Sequence, residues 1–504
     1  MSEDDSDRPC VEVGEIVASE NGDYAFRVHC LIGEGRCCVV FSGEGIRDGS
    51  RVALKFYKKG TNYDGAFQRE MTILEKYLCG TPNIVLCSGI FSYKGFRIQV
   101  LELLESNVRQ IIYRNERSGL SPWATQKFAK DILTGLKALH SNKFVHGDLK
   151  PANVMWSADD GAFKILDFGL TFHIDEVNLH QIQSSGYRAP ESFEWNSYKE
   201  RLKKKRRCRL QGTYSNLSSI PPSYNVGFDH LDDTFKVNRD PLPSESSGIF
   251  TQSTCSNSSL NDVLEEKLPP DTHSGGDQEW RKRDVKVLRR RSAAIYRAPS
   301  IPQQPGIPSD IWSFGCLLAE VFTGHKLFKT NDKMVSVLKP HQLVEMKLGP
   351  TEISYDESGK NDVFQQVKDL IIRCLESDPS MRITSTDALA HEFITRQDLI
   401  PSVKDMVTMP SRVLQFINIL DEDLSQEETE AVLNEIREEA EKYGQVTAMR
   451  SMGRHAYLEF NEASSAHDAC PNLSGKKELL HSSPNHIFMV VFYPLDLWRS
   501  KTFL

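Results

Sequence analysis

A few short stretches of this 504-residue chain carry residues suited to one reaction, the transfer of a phosphoryl group. That reaction needs a cradle for phosphates, oxygen ligands for a metal ion, and a group to accept the proton of the attacking hydroxyl. Ile32-Gly33-Glu34-Gly35-Arg36-Cys37-Cys38-Val39-Val40 offers the cradle, because glycine lets main-chain N–H groups come close to a phosphate. Cys38 stands where the usual pattern has a third glycine, and Gly-x-Gly alone marks many turns. Val52-Ala53-Leu54-Lys55 then places a lysine at a strand end, suited to hold α- and β-phosphates. Glu70 is its natural ion-pair partner, with Glu75 as the alternative. In His146-Gly147-Asp148-Leu149-Lys150-Pro151-Ala152-Asn153, Asp148 would accept the hydroxyl proton, Lys150 would steady the γ-phosphate and Asn153 would bind a metal ion. Asp167-Phe168-Gly169 adds a metal-binding carboxylate, and Ala189-Pro190-Glu191 closes the segment after it.

Such residues need two different scaffolds to hold them. From Tyr24 to Tyr57, short alternating runs separated by glycine turns predict strands. Phe67, Met71, Leu74 and Leu78 recur at helical spacing, as do Phe128, Ile132, Leu136 and Leu139 just before the Asp148 loop. A strand-rich lobe followed by a helix-rich lobe is a two-lobed α+β arrangement. After Glu191 the pattern breaks, and a Ser-, Pro- and Asn-rich stretch from about Trp195 to Pro305 is expected to be mostly disordered. Helical periodicity resumes at Asp310 and runs to about Phe393. The last stretch, Val413 to Pro494, reads strand, acidic helix, strand, strand, weak helix, strand. The expected organisation is a flexible tail over 1–24, a catalytic domain over 25–192 and 306–395 interrupted by a basic insert at 193–305, a linker over 396–410, and a small βαββαβ domain over 411–497.

Seven separated motifs in this order resemble the protein-kinase superfamily over about residues 25–192 and 306–395. The resemblance implies a two-lobed kinase fold that uses ATP and Mg2+. It places the nucleotide among Ile32, Gly33, Gly35, Val40, Ala53, Lys55, Glu70, Glu102, Leu104 and Asn153. Asn153 and Asp167 would hold the metal, and Asp148 and Lys150 would serve catalysis. Asp310-Ile311-Trp312-Ser313-Phe314-Gly315 resembles the helix whose aspartate braces the catalytic loop, and Arg382 resembles the late arginine that pairs with Glu191. Because every residue needed for chemistry is present, an inert scaffold is disfavoured. Gly147 stands where many kinases have an arginine that grips a phosphorylated activation loop, which suggests an enzyme that does not wait for that phosphorylation. Tyr187-Arg188-Ala189-Pro190-Glu191 resembles the proline-directed kinases, although Arg188 could be only a surface cation. Tyr296-Arg297-Ala298-Pro299 echoes it but continues to Ser300, so only the first copy keeps the glutamate that Arg382 needs.

A net charge of −8 argues against a molecule built throughout to coat nucleic acid. The acidic start lacks the basic and apolar stretches of a secretory signal, and Ile311 to Phe322 is too short to span a bilayer. Eleven cysteines without a Cys-x-x-Cys pair read as reduced thiols. Two basic blocks, Lys203-Lys204-Lys205-Arg206-Arg207 and Arg289-Arg290-Arg291, suggest nuclear import, with some of the protein in the cytoplasm; the bland alternative is solvated charge.

At the C-terminal end, Val413 to Leu420 resembles the first strand of an RNA-recognition motif and Gly453 to Phe460 its third. The first stacking position holds Gln415 and a later one His455, leaving Tyr457 as the clear ring. The helix region carries Glu427, Glu428, Glu430, Glu435, Glu438 and Glu439, which should repel phosphate, so RNA binding is disfavoured. The combination resembles the UHM class, RNA-recognition folds that bind a tryptophan-bearing peptide. A kinase followed by a UHM is similar to the UHM-kinase family, also called kinase interacting with stathmin. That resemblance implies phosphorylation of Ser or Thr beside proline, with splicing factors and stathmin-like proteins as partners. UHM proteins usually carry Arg-x-Phe before the last strand, where this chain reads Lys477-Glu478-Leu479.

Overall fold

The structure, a computed structural model, describes residues 8–176, 181–210, 302, 304–328, 344, 363–421, 423–475 and 489–503. The chain forms two compact units, Met1–Arg201 with Pro302–Leu504, and Leu202–Ile301. Most of the second unit lies outside the described residues, and with it the block 289–291 and the Tyr296 echo.

The first lobe is a six-stranded antiparallel sheet. Its strands are β1 (Ile16–Ala18), β2 (Ala25–Glu34), β3 (Cys38–Gly45), β4 (Arg51–Tyr57), β5 (Cys87–Tyr93) and β6 (Phe96–Glu102), in the order β1-β2-β3-β4-β6-β5. Alternation drives Val28, Leu54, Phe56, Ile98 and Val100 into one apolar layer, and Val17 of β1 joins it. Residues 8–24 are therefore not a free tail: β1 pairs with β2, and Gly14 N donates to Val28 O at 2.8 Å. Helix α1 (Thr61–Thr72) crosses behind the sheet and runs into a π-helical turn, Ile73–Tyr77, that keeps Ile73 and Leu74 inward.

The second lobe is helical. Helix α2 (Val108–Arg114) follows the short strand β7 (Ser106–Asn107). Helix α3 (Pro122–Ser141) starts at Ser121, whose hydroxyl accepts from Ala124 N, and buries Phe128, Ile132, Leu136 and Leu139 completely. Between α3 and the next helix lie β8 (Phe144–Val145), β9 (Val154–Ser157), β10 (Ala162–Ile165) and β11 (Phe172–His173). They pair as two small antiparallel sheets, β10-β9-β7 and β11-β8. Helix α4 (Pro190–Leu210) runs on past Glu191, so the expected break does not fall there. The Lys203–Arg207 block continues this helix rather than standing in an irregular segment. Helix α5 (Pro308–Thr323) stops at Gly324 in the left-handed region (φ 77°); a Cβ there would meet Arg117 O at 2.0 Å, so glycine is required. Helices α6 (Val363–Cys374), α7 (Ser385–Leu389) and α8 (Glu392–Thr395) complete this lobe.

The expected linker is not a spacer. It holds α9 (Val403–Thr408), and Asp405 accepts from Ser121 Oγ at 2.6 Å while Trp156 Nε1 donates to Pro410 O at 2.7 Å. Beyond it come β12 (Val413–Ile417), α10 (Gln426–Ala440), β13 (Val446–Met452), β14 (His455–Phe460), α11 (Ala463–Leu473) and β15 (Met489–Phe492), the expected βαββαβ order. The sheet order is β13-β14-β12-β15, and one face buries Leu414, Phe416, Leu458 and Phe460 against Ile436 and Leu473. The other face is covered by α12 (Leu495–Ser500) and the residues after it. Tyr457, expected as an available ring, is fully buried there against Tyr493 and Phe503 at 4.9 and 5.0 Å between centroids. Asp159 Oδ1, in the β9–β10 hairpin of the helical lobe, accepts from Ala463 N, the first residue of α11, at 2.7 Å.

Candidate active site

Lys55 lies in β4, opposite Val40 of β3 on one side and Gln99 of β6 on the other. Its ammonium meets both carboxylate oxygens of Glu70, at 2.8 and 2.7 Å, and Asp167 Oδ1 at 3.4 Å. Glu70 is thus the partner and Glu75 is not. Glu70 is buried and takes a third bond from Tyr57 Oη at 2.6 Å, and Tyr57 Oη also reaches Gln99 Oε1 at 3.2 Å. Burial alone would depress the Lys55 pKa, but Glu70, Tyr57 and Asp167 outweigh it and hold the ammonium charged. Helix α1 is tied to the next motif as well, because Arg69 Nε donates to Gly169 O at 3.0 Å.

Above this pair, Gly33 lies opposite Val40, and Gly35 N donates to Cys38 O at 2.8 Å, so the glycine turn closes as expected. Ile32 is half exposed at the turn, while Ala53 is buried in the sheet. Burial pushes the Cys38 thiol up to about 11, which leaves it a packing residue. Glu102 and Leu104 differ from a simple lining role. The Glu102 carboxylate binds Lys164 Nζ at 2.7 and 2.8 Å and accepts from Leu86 N at 2.6 Å. The Leu104 side chain belongs to the helical core.

The catalytic loop is braced from below. Asp310 of α5, completely buried, accepts from His146 N at 2.7 Å, Gly147 N at 3.0 Å and His140 Nε2 at 3.1 Å. Gly147 has φ 75°, and a Cβ would meet Leu170 O at 3.1 Å. Asp148 is thereby held with its Oδ2 on Lys150 Nζ and its Oδ1 accepting from Ser184 Oγ at 2.7 Å. Asn153 Nδ2 donates to Asp148 O at 2.9 Å, which leaves its amide oxygen for a ligand. Asp167 takes φ 65°, a conformation aspartate tolerates, while Phe168 is buried against His146 at 5.2 Å. Lys55 beside it holds the Asp167 carboxyl below the usual range, although burial acts the other way. An ionised carboxylate and an amide oxygen are hard donors suited to a divalent cation that also keeps phosphate and water ligands. Among the described residues no cluster of three His, Cys, Asp or Glu offers a self-sufficient metal cage.

Arg382 Nη1 and Nη2 grip the two oxygens of Glu191 at 2.7 and 3.2 Å, so the pairing expected from sequence is bidentate. Two residues that sequence reading missed join the site. Ser184 binds the Asp148 carboxylate, and Gln183, with φ 61°, accepts through its carbonyl from Arg188 Nε and Nη2 at 3.1 and 2.9 Å. Their only signal was position, a few residues before Ala189-Pro190-Glu191.

A protein kinase domain model matches residues 26–203 and 281–394, more than half of the chain. The chain belongs to the protein kinase family. Serine/threonine-protein kinase Kist of Homo sapiens is 26% identical over 447 residues, which cover 86% of this chain and 81% of that protein. Shorter matches include probable serine/threonine-protein kinase dyrk2 of Dictyostelium discoideum, 30% identical over 187 residues (36% of this chain, 20% of that protein). Cyclin-dependent kinase D-1 of Oryza sativa subsp. indica is 35% identical over 169 residues (32% and 38%). This protein serine/threonine kinase accordingly uses ATP and a divalent metal ion. No helix among the described residues is long and apolar enough to cross a membrane.

Proposed function

We propose that this kinase transfers the γ-phosphate of ATP to Ser or Thr followed by proline, with Mg2+ as its metal. Asp148 accepts the proton as the substrate oxygen attacks phosphorus, and the bond to the ADP oxygen breaks in line. Lys55 and Lys150 meet phosphate oxygens, with Glu70 holding Lys55 in place. Mg2+, when bound, neutralises charge on the β- and γ-phosphates; Asp167 and Asn153 are the residues that would hold it. The observation that carries the proline preference is the bond pair from Arg188 to the Gln183 carbonyl. A substrate residue beside the target would present its N–H to a carbonyl already occupied. Proline has no N–H and loses nothing. Mapping the sites phosphorylated in a mixture of splicing-factor and stathmin-like substrates tests the reading: most should precede proline, and an even spread over all residue types at the next position would refute it.

The same proposal assigns the βαββαβ domain to the UHM type, recruiting partners by a tryptophan-bearing basic peptide. Support comes from the acidic α10 and from the burial of Tyr457, which removes a base-stacking ring. The segment 477–479, where that pocket was expected, lies outside the described residues. Calorimetry on the full chain distinguishes the alternatives: salt-sensitive heat with the peptide supports recruitment, and tight single-stranded RNA binding without it supports an RNA role. The basic blocks suit a kinase that enters the nucleus and is also cytoplasmic; deleting 203–207 and 289–291 should shift it outward.

A further inference from the structure

Strand β6 sends Ile98 and Val100 into the apolar layer of the sheet, and between them it turns Gln99 the other way, fully buried. An amide taken out of water costs free energy unless new hydrogen bonds replace the lost ones. Gln99 lies opposite Lys55 in the β4–β6 register, and one corner of its amide is 3.2 Å from Tyr57 Oη. That hydroxyl is also 2.6 Å from Glu70 Oε2, a separation two oxygens keep only with a hydrogen between them. Glu70, as the carboxylate partner of Lys55, offers acceptors alone, and a phenol has one hydrogen. The hydrogen is therefore committed to Glu70, and Tyr57 Oη can only accept from Gln99. The amide corner on Tyr57 is then the NH2 group, reached from the opposite assignment by a half-turn that leaves the shape unchanged. The half-turn suits the other corner too. As NH2 it makes no hydrogen bond among the described residues, and as a carbonyl oxygen it can face the weak donor of the nearby Cys87 thiol.

We propose that Gln99 is a positioning residue for phosphoryl transfer: its amide donates to Tyr57 Oη, commits the phenol hydrogen to Glu70, and so seats α1 with Glu70 on Lys55. The bonds run in one direction, from Gln99 to Tyr57 to Glu70, where Lys55 meets them and also reaches Asp167 at 3.4 Å. Bonds in series strengthen one another, because an oxygen that accepts becomes a better donor. The chain joins β6 to α1 across β4. Gln99, Tyr57, Glu70 and Lys55 are each at most 6% exposed, so water cannot take over a link. With an apolar residue at 99, Tyr57 still faces Glu70 but loses the bond that orients its hydroxyl and sharpens its donor. Gln99 thus acts through Tyr57 rather than on the nucleotide. The inference rests on the reading of Lys55 as a phosphate-holding group.

The test measures KM for ATP and KM for a Ser-Pro peptide with the full chain, since neither depends on how much enzyme is folded. Gln99→Met keeps the length of the side chain and removes the amide. It should raise KM for ATP about fivefold and leave KM for the peptide unchanged. In a Tyr57→Phe background the same substitution should raise KM for ATP no further, because the amide has lost its acceptor. Gln99→Leu should behave likewise and serves if the methionine variant folds poorly. An unchanged KM for ATP, an equal rise in both KM values, or the same rise with and without the Tyr57 hydroxyl overturns the inference and leaves the reading of Lys55 standing. Native ATP kinetics in Lys55→Met would instead refute the reading of Lys55 itself.

Discussion

Replacing Tyr57 with phenylalanine isolates one bond in the buried network that sets Lys55. The hydroxyl lies 2.6 Å from Glu70 Oε2, and Glu70 is only 1% exposed, so water cannot take its place. A hydrogen bond to a charged, buried acceptor contributes about 1.5–3 kcal/mol. The ring itself stays, with its edge-on contact to Phe67 at 5.0 Å, so packing is nearly unchanged. Glu70 keeps Lys55, which argues for the lower end of the range, and about 1.4 kcal/mol is tenfold. Where the bond exists only while α1 is seated inward, that energy comes off the competent arrangement. Steady-state kinetics should then show kcat/KM for ATP falling about tenfold, with a fall of only a few degrees in the thermal midpoint. Unchanged ATP kinetics with a lowered midpoint would show that Lys55 alone seats Glu70 and that Tyr57 only packs.

The geometry fixes two further outcomes. Gly161 has φ 61°, and a Cβ there would come within 2.8 Å of Leu495 Cβ, so Gly161→Ala should loosen α12 from the β9–β10 hairpin. Hydrogen exchange should rise in residues 495–500 at a cost of about 1–2 kcal/mol, while phosphotransfer persists. The depressed Asp167 pKa sets a pH signature, since a carboxyl whose folded value is lowered stabilises the fold above its unfolded value and loses that contribution as pH falls through the folded one. The stability gap between native protein and Asp167→Asn should stay constant from about pH 8 to 5 and narrow only below about pH 4. A gap that closes near neutral pH would remove the Lys55–Asp167 pairing.

Residues that act through their own chemistry were legible in the sequence: Lys55, Asp148, Asn153 and Asp167 sit in short motifs, and Arg382 and Asp310 meet the expected partners across more than 160 positions. The choice between Glu70 and Glu75 was not legible, because both fall on one helical stretch; the structure buries Glu70 and leaves Glu75 exposed. Ser184 and Gln183 escaped because an ordinary polar loop residue reveals its role only once the backbone brings it to a carboxylate or into a left-handed turn. The N-terminal residues and the 396–410 stretch looked like tail and linker for a related reason: β1 and α9 are too short to show periodicity, and their burial comes from distant partners such as Val28 and Ser121. Helix α4 was hidden by its own charge, since a run of lysines and arginines carries no apolar stripe.

The most direct measurement is phosphate transfer from ATP to a Ser-Pro peptide by phosphatase-treated full-length protein and by Asp148→Asn, with the product site mapped. Asp148 is held by Lys150, Ser184 and the Asp310-braced loop, so the asparagine variant should keep the fold while removing the carboxylate proposed as proton acceptor and its charge on Lys150. The native protein should phosphorylate the serine without prior activation, and the variant should be slower by about 10²–10⁴. Equal rates for the two proteins, or no transfer until the activation segment is phosphorylated, would contradict the account.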